Sequence, residues 1–88
     1  MIVDDEPFNL MGLESILQLT FKMLGVKENF LLDILDQASN GQEALDIVRD
    51  KLSINSSNSY GLIFMDCSMP IMDGYKSSKE IRKVYHQA

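Results

Sequence analysis

The chain has 88 residues, of which 45% are hydrophobic and 24% charged, and its net charge is -5. This length fits one domain, and the composition is that of an ordinary globular protein. The negative charge opposes direct binding to nucleic acid, because phosphate contacts need clustered Lys and Arg side chains. No apolar stretch approaches the roughly 18–20 residues that cross a bilayer, so we expect no membrane contact by this segment. The single cysteine, Cys67, excludes an internal disulfide, is typical of a reducing compartment, and is expected to be a small packed side chain.

The first quarter of the chain predicts a short strand followed by a helix. Residues 1–3 are apolar and run directly into three acids, Asp4, Asp5 and Glu6. Pro7 is typical of the first turn of a helix. Apolar residues at three- and four-residue spacing then mark one helical face, namely Leu10, Leu13, Leu17, Phe21 and Leu24. Gly25 is expected to end this helix.

The middle of the chain predicts a second strand and a second helix. Residues 26–33 match no single pattern, and residues 30–32 fit either a helical turn or the start of a strand. Residues 34–38 are the predicted second strand. Asn40 followed by Glu43 has the pattern of an N-cap and capping box, which predicts a helix that runs through Ala44, Leu45, Val48 and Leu52. Residues 53–59 are rich in Ser and Asn and predict a flexible surface loop.

The last third predicts a buried strand and a third helix. Residues 60–66 form an apolar run that ends on Asp66, as expected for a strand covered on both faces. Gly74 lets the following loop turn, and residues 75–85 then predict a helix with Ile81, Val84 and Tyr85 on one face. The resulting order βαβαβα predicts an α/β fold with right-handed crossovers and a parallel sheet.

Two of the predicted strands end on acids. Asp4 and Asp5 follow the first strand, and Asp66 closes the third. If these strands lie side by side and parallel, the acids meet at the carboxyl edge of the sheet, where ligand sites are found. Three carboxylates within about 5 Å of one another repel by roughly 3 kcal/mol per pair at an effective dielectric constant near 20. Such a cluster takes up protons or binds a cation, and a hard divalent ion such as Mg²⁺ prefers oxygen ligands.

Three blocks of the sequence together resemble the receiver domain of two-component response regulators, and look most like the receivers of hybrid sensor histidine kinases. The blocks are Val-Asp-Asp-Glu at 3–6, Ala-Ser-Asn-Gly-Gln-Glu-Ala-Leu at 38–45 and Met-Asp-Cys-Ser-Met-Pro-Ile-Met-Asp-Gly at 65–74. They occur in the family's order and span nearly the whole chain. The resemblance implies a flavodoxin-like, doubly wound parallel sheet with strand order 2-1-3, and it makes residues 1–88 a partial receiver domain.

The resemblance also implies a site and a function. Asp66 would be the phosphoacceptor nucleophile, taking a phosphoryl group from a phosphohistidine with the help of Mg²⁺ (or Mn²⁺). Asp5 and Asp66 would ligate the metal directly, Asp4 mostly through water, and the backbone carbonyl of Ser68 would complete the protein ligands. The expected partner is a histidine kinase or a histidine phosphotransfer domain. The segment would be a signalling domain rather than an enzyme, and it would lie in the cytoplasm even where its parent protein is membrane-anchored.

A complete receiver has two further strand–helix units, which carry a Ser or Thr on the fourth strand and a Lys on the fifth. The chain ends after the third predicted helix, so we expect a fragment of a receiver in which these two units are missing. In the family's strand order the third strand is interior, and here its apolar edge would be open to pairing with another chain. The isolated chain is therefore expected to be molten, aggregated or partner-stabilised, and extension past Ala88 is expected to restore cooperative unfolding.

Two alternative functions stay open at this point. A truncated or degenerate receiver would act only as a protein-interaction module, although the complete acidic trio argues against degeneracy. A phosphatase with an Asp nucleophile, of the haloacid dehalogenase type, needs a second acid two residues after that nucleophile. Ser68 stands at that position, which disfavours the phosphatase.

Overall fold

A three-stranded parallel sheet organises the chain, with β1 at its centre. The computed structural model describes residues 1–27, 30–31, 34–55 and 57–87. The elements in chain order are β1 (Ile2–Val3), α1 (Pro7–Met23), β2 (Gln37–Ala38), α2 (Gly41–Ile54), β3 (Phe64–Met65) and α3 (Gly74–Gln87). The strand order is β2-β1-β3 and both pairings are parallel. This confirms the predicted α/β architecture and the predicted order 2-1-3.

The register brings the carboxyl ends of the three strands to the same edge of the sheet. Ile2 lies opposite Gln37 and Phe64, and the next position of each strand pairs in step. The pairing continues just past the strands, since the Asp4 N–H donates to the Ala38 carbonyl at 3.1 Å. The Asp66 N–H donates in the same way to the Val3 carbonyl at 3.0 Å. The residues that follow β1 and β3 are therefore held side by side.

The apolar core lies between the sheet and helices α2 and α3. Its buried side chains come from all these elements, namely Met1, Val3, Ala38, Ala44, Leu45, Val48, Met69 and Ile81. Burying one aliphatic side chain of this kind contributes roughly 1.5–3 kcal/mol, so this face supplies most of the stability. Helix α1 covers the other face of the sheet, and none of its residues is fully buried. No helix in the described part of the chain is long and apolar enough to span a membrane.

The helix ends follow the local chemistry that the sequence predicts. Helix α1 begins at Pro7 and is followed by Gly25 at a φ of 84°. At the start of α2, the Asn40 Oδ1 atom accepts a hydrogen bond from the Glu43 N–H at 2.9 Å. The Glu43 carboxylate reaches back one residue further than in a capping box, to the N–H and the hydroxyl of Ser39. The predicted N-cap is thus confirmed, and the reciprocal bond is shifted by one position.

The start of α2 is locked to α3 by a contact that leaves no room for a side chain. The Ser77 hydroxyl, which is fully buried, donates to the Gly41 carbonyl at 2.8 Å. A Cβ atom at Gly41 would lie only 2.4 Å from the Met72 carbonyl oxygen. The loop that enters α3 therefore sits directly on the first turn of α2, which fixes that loop relative to the sheet.

The second and third strands are shorter than predicted. The Leu35 N–H donates to the Leu31 carbonyl at 3.0 Å, a helical contact, so extended backbone begins only after Leu35. In the third predicted strand, the side chains of Leu62 and Phe64 keep 63% and 39% of their surface exposed. The prediction that both faces of this strand are covered was therefore wrong. Helix α1 packs chiefly on β1, and cavities lined by residues of both α1 and the third strand remain on that face.

Three smaller expectations concern loops. Helix α2 continues to Ile54, so the Ser- and Asn-rich loop begins two residues later than predicted. Leu24 lies past the end of α1 and is exposed, because the chain turns at Gly25. In the unassigned segment the Leu31 N–H donates to the Lys27 carbonyl at 3.3 Å, which favours the helical turn. Residues 28–29, 32–33 and 56 of these segments lie outside the described residues.

A polar cluster ties the chain before β2 to the chain before β3. The Tyr60 hydroxyl donates to the Asp36 carboxylate, which also pairs with the Lys51 ammonium at 3.2 Å. The same ammonium lies 5.6 Å from the centroid of the Tyr60 ring. Burial, together with the hydrogen bond to Asp36, raises the pKa of the Tyr60 phenol.

We expect the chain to lose stability at alkaline pH through Tyr60. A phenol whose pKa is higher in the folded than in the unfolded chain stabilises the fold fully below the unfolded pKa of about 10, and this contribution is lost as the pH rises through the folded pKa. Tyr60→Phe should lower the free energy of unfolding by roughly 1–2 kcal/mol at neutral pH and reduce the alkaline loss. Urea unfolding at about pH 7 and about pH 11, at one protein concentration, measures both effects. The same pH dependence in both proteins would contradict the assignment.

Candidate functional site

Three acids lie together at the carboxyl ends of β1 and β3. Asp4 and Asp5 follow β1, and Asp66 follows β3. One carboxylate oxygen from each residue lies within 4.8 Å of the other two. Asp4 and Asp66 are half-buried, whereas Asp5 is exposed. The structure therefore brings together the three acids that the sequence singled out.

Asp4, Asp5 and Asp66 are called the acid trio below. No basic side chain among the described residues forms an ion pair with this acid trio. The ion pairs in that part of the chain join Lys51 to Asp36 and Lys83 to Glu80. Carboxylates at this separation repel one another by roughly 3 kcal/mol per pair at an effective dielectric constant near 20. The trio is thus an uncompensated set of oxygen ligands, which is the kind of site that a hard divalent cation occupies.

The start of α1 is built directly onto the acid trio. The Asp4 carboxylate accepts a hydrogen bond from the Glu6 N–H at 3.0 Å, and the Glu6 carboxylate accepts one from the Phe8 N–H at 3.3 Å. Glu6 is therefore the N-cap of α1. The helix N-terminus carries a partial positive charge, so it favours the neighbouring carboxylates.

The first residue of α3 is packed onto the backbone of Asp66. The Gly74 N–H donates to the Cys67 carbonyl at 3.0 Å. A Cβ atom at Gly74 would lie 2.1 Å from the Asp66 carbonyl oxygen and 2.9 Å from its carbon. Asp73 accepts a hydrogen bond from the Lys76 N–H at 2.8 Å and so caps the start of the helix. Only glycine fits at this junction, and the junction fixes the backbone that carries the Asp66 carboxylate.

The loop between β3 and α3 contains a strained turn. Ile71 has a φ of 70°, and the Met72 N–H donates to the Pro70 carbonyl at 2.7 Å, which together define a γ-turn. A β-branched residue in this region costs of order 1–3 kcal/mol, and its side chain here is 81% exposed. The turn persists because Met69 and Met72 on either side pack into the core. Ser68 lies in this loop, and the metal-ligand role of its carbonyl stays a prediction.

The prediction that Cys67 is a small packed side chain was wrong. Its thiol is exposed, because the ladder ends at Met65 and the chain turns away from the core. The thiol lies beside Tyr75 at the start of α3. The hydrogen bond between them raises the pKa of the Tyr75 phenol.

Asn9 is a site-lining residue whose position the sequence analysis missed. It lines a cavity of about 240 Å³ together with Asp4, Asp66, Leu10 and Leu13, among others. The signal was available, because Asn9 stands in the first turn of the helix that directly follows Asp4 and Asp5. Asn9 thereby lines the same cavity as Asp4 and Asp66.

Comparison with known proteins agrees with this arrangement. The chain matches the family model of the response regulator receiver domain over residues 1–88. Histidine kinase CKI1 of Arabidopsis thaliana is 39% identical over 69 residues, which are 72% of this chain and 6% of the kinase. Histidine kinase 5 of the same plant is 37% identical over 93% of this chain and 7% of the kinase. Two-component response regulator 24, also from that plant, is 33% identical over 96% of this chain and 48% of its own length.

A solved structure supports the same fold. The crystal structure of a mutant receiver domain of CKI1 from Arabidopsis thaliana matches with a TM-score of 0.65 and 32% identity, covering 98% of this chain. The chain spans 55% of that receiver chain. In the part of the chain that the structure describes, the parallel strands in the order β2-β1-β3 and helices α1, α2 and α3 are those of a flavodoxin-like fold. The chain therefore belongs to the response regulator receiver domain family.

Proposed function

We propose that this chain is a phosphoacceptor module of a two-component phosphorelay, in which Asp66 receives the phosphoryl group of a phosphohistidine. The observation that carries the proposal is the convergence of three carboxylate oxygens within 4.8 Å at the carboxyl edge of the sheet. Membership of the receiver family supports a signalling role, and the similar proteins are histidine kinases and a response regulator. A histidine kinase or histidine phosphotransfer domain in the cytoplasm would be the donor.

In the proposed reaction a carboxylate oxygen of Asp66 attacks the phosphorus atom of the phosphohistidine. A new O–P bond gives an acyl phosphate, while the P–N bond breaks and its electron pair stays on the imidazole nitrogen, which is then protonated. The backbone of Asp66 is held on one side by the Val3 carbonyl and on the other by Gly74. The backbone that carries the nucleophile is thus fixed, which lowers the entropic cost of reaching the attacking geometry.

The donor set of the acid trio fits a divalent cation. All three ligand groups are carboxylates, and none forms an ion pair with a Lys or Arg in the portion of the chain described. Asp4, Asp5 and Asp66, with the Ser68 carbonyl, would hold Mg²⁺ or Mn²⁺. When bound, such an ion orients the phosphoryl group and offsets the charge that develops on its oxygens.

Phosphorylation by a small donor tests the proposal. With acetyl phosphate and Mg²⁺, mass spectrometry should find the phosphoryl group on Asp66 alone, and Asp66→Ala should abolish it. Asp46→Ala removes another Asp carboxylate, from the exposed face of α2, and this variant should be labelled like the wild type. We expect a low yield, because no Lys pairs with the trio among the described residues. Label on Ser68 or His86 would overturn the assignment, and no label on a folded wild type would favour a pure interaction module.

A further inference from the structure

The carboxylates of Asp4 and Asp66 lie on the face of the sheet that α1 covers. Side chains two residues apart in a strand lie on the same face. Ile2 and Phe64 line a cavity together with residues of α1, so they belong to that face. Asp4 stands two residues after Ile2 and Asp66 two residues after Phe64, and the backbone pairing of the strands extends to both acids. Both carboxylates are therefore directed toward the start of α1.

Asn9 is held beside these carboxylates through the first turn of α1. The Glu6 N–H donates to the Asp4 carboxylate at 3.0 Å, and the Asn9 N–H donates to the Glu6 carbonyl, also at 3.0 Å. Asn9 lines the same cavity of about 240 Å³ as Asp4 and Asp66. Residues 4–9 thus fix the position of Asn9 relative to the acid trio.

The Asn9 amide is a hydrogen-bond donor in a cavity whose other lining side chains are acidic or apolar. Asp4 and Asp66 only accept hydrogen bonds when they are ionised, and the remaining lining side chains are Val, Leu, Phe and Met. Within the described residues, no hydrogen bond engages the amide of Asn9, and this side chain is exposed. Both N–H groups of the amide are therefore available to a ligand of the site.

The neutral charge of Asn9 suits an anion held by Asp66. Asn9 is the third residue of α1, where a carboxylate would interact favourably with the positive end of the helix. A carboxylate at that position would also repel the acid trio and a phosphoryl group next to it. The amide avoids this repulsion, and its N–H groups suit phosphoryl oxygens as partners.

We propose that the Asn9 amide donates a hydrogen bond to an oxygen of the phosphoryl group, both when Asp66 receives this group and when water removes it. This inference rests on the phosphoacceptor function proposed above. In the removal step a water oxygen bonds to phosphorus, the O–P bond to Asp66 breaks, and its electron pair returns to the carboxylate. The water releases a proton, and inorganic phosphate leaves. Because the phosphoryl oxygens carry the charge in both transition states, one donor serves both steps.

The rates of labelling and hydrolysis test this role. Asn9→Leu keeps the shape of the side chain without the amide, and it should slow the labelling of Asp66 by acetyl phosphate and Mg²⁺ on the order of tenfold. Hydrolysis of the acyl phosphate, followed after acetyl phosphate is removed, should slow by a similar factor. Asn9→Asp should be labelled more slowly still, because it adds repulsion. Gln18→Leu, which removes an amide of α1 that lies outside the cavity, should match the wild type.

Beryllium trifluoride provides a readout without turnover, because its three fluorine atoms imitate the three phosphoryl oxygens. In the presence of Mg²⁺ it should shift the side-chain amide resonances of Asn9 in the wild type, as measured by NMR. Its affinity should fall on the order of tenfold in Asn9→Leu and stay unchanged in Gln18→Leu. Circular dichroism verifies that each variant is folded.

The outcomes separate the role of Asn9 from the function on which it rests. Wild-type rates and wild-type beryllium trifluoride affinity in Asn9→Leu would overturn the role of Asn9 and leave the phosphoacceptor function standing. Slow labelling in Asn9→Leu with a wild-type rate in Asn9→Asp would also overturn it, since Asn9 would then serve only the start of the helix. Absence of label on Asp66 in a folded wild type would overturn both proposals.

Discussion

Replacing Gly74 with alanine is expected to cost more than about 4 kcal/mol of folding free energy, the range of exceptional single substitutions. The added Cβ atom would lie 2.1 Å from the Asp66 carbonyl oxygen, a distance at which one of the two backbones must move. Neither moves easily, because the Asp66 N–H is bonded to Val3 in the sheet and the Gly74 N–H to Cys67. Urea unfolding followed by circular dichroism measures the loss.

Gly12→Ala is the control for this substitution. Gly12 lies within α1, and a Cβ atom there would meet nothing within 4 Å. Alanine is the better helix former by about 0.8–1 kcal/mol, so this variant should be as stable as the wild type or more stable. If Gly74→Ala unfolded at the same urea concentration as the wild type, the junction between Asp66 and α3 would have room for a Cβ atom, and the close contact described here would be wrong.

The second large effect concerns metal affinity. Asp5→Asn and Asp66→Asn each remove one charge from the acid trio while keeping the shape of the side chain. We expect either substitution to weaken Mg²⁺ or Mn²⁺ binding on the order of 100-fold, which corresponds to about 3 kcal/mol. Isothermal titration calorimetry measures this, with Asp46→Asn as a charge-matched control outside the site. Equal affinity in the wild type and both trio variants would exclude the site.

The metal-free protein gives an independent check of the same cluster. Because the three carboxylates repel one another, removing one charge should stabilise the chain in the absence of divalent ions. In a chelating buffer, Asp66→Asn is therefore expected to unfold at a higher urea concentration than the wild type. Added Mg²⁺ should reduce this difference in unfolding midpoint, because it binds and stabilises the wild type more strongly. A destabilised Asp66→Asn protein would mean that the carboxylate serves the fold rather than a ligand.

Features that depend on neighbouring residues in the chain were predictable from sequence. The N-cap at Asn40, the helix start at Pro7 and the helix end near Gly25 each rest on one or two side chains and their own backbone. The clustering of Asp5 with Asp66 needed only one further assumption, that two strands ending on acids are parallel neighbours. The acid cluster could therefore be located before its geometry was known.

Features that no local sequence pattern marks were not predictable. The second predicted strand lost its first residues because the Leu35 N–H bonds to Leu31, which no periodicity in that segment indicated. Exposure of Phe64 depends on where α1 lies across the sheet, a property of tertiary packing. The positive φ of Ile71 runs against the preference of a β-branched residue, and only the anchoring of Met69 and Met72 accounts for it.

The central position of β1 has a consequence for synthesis on the ribosome. Both of its partners come later in the chain, and the contact between Met1 and Leu62 joins residues 61 positions apart. At roughly 5–20 residues per second, several seconds pass between the translation of β1 and that of β3. Helices α1 and α2 need only local contacts and can form in that interval, whereas Ile2 and Val3 stay without one neighbour. The apolar residues of β1 thus leave the ribosome well before their partner in β3, and a chaperone has that interval in which to bind them.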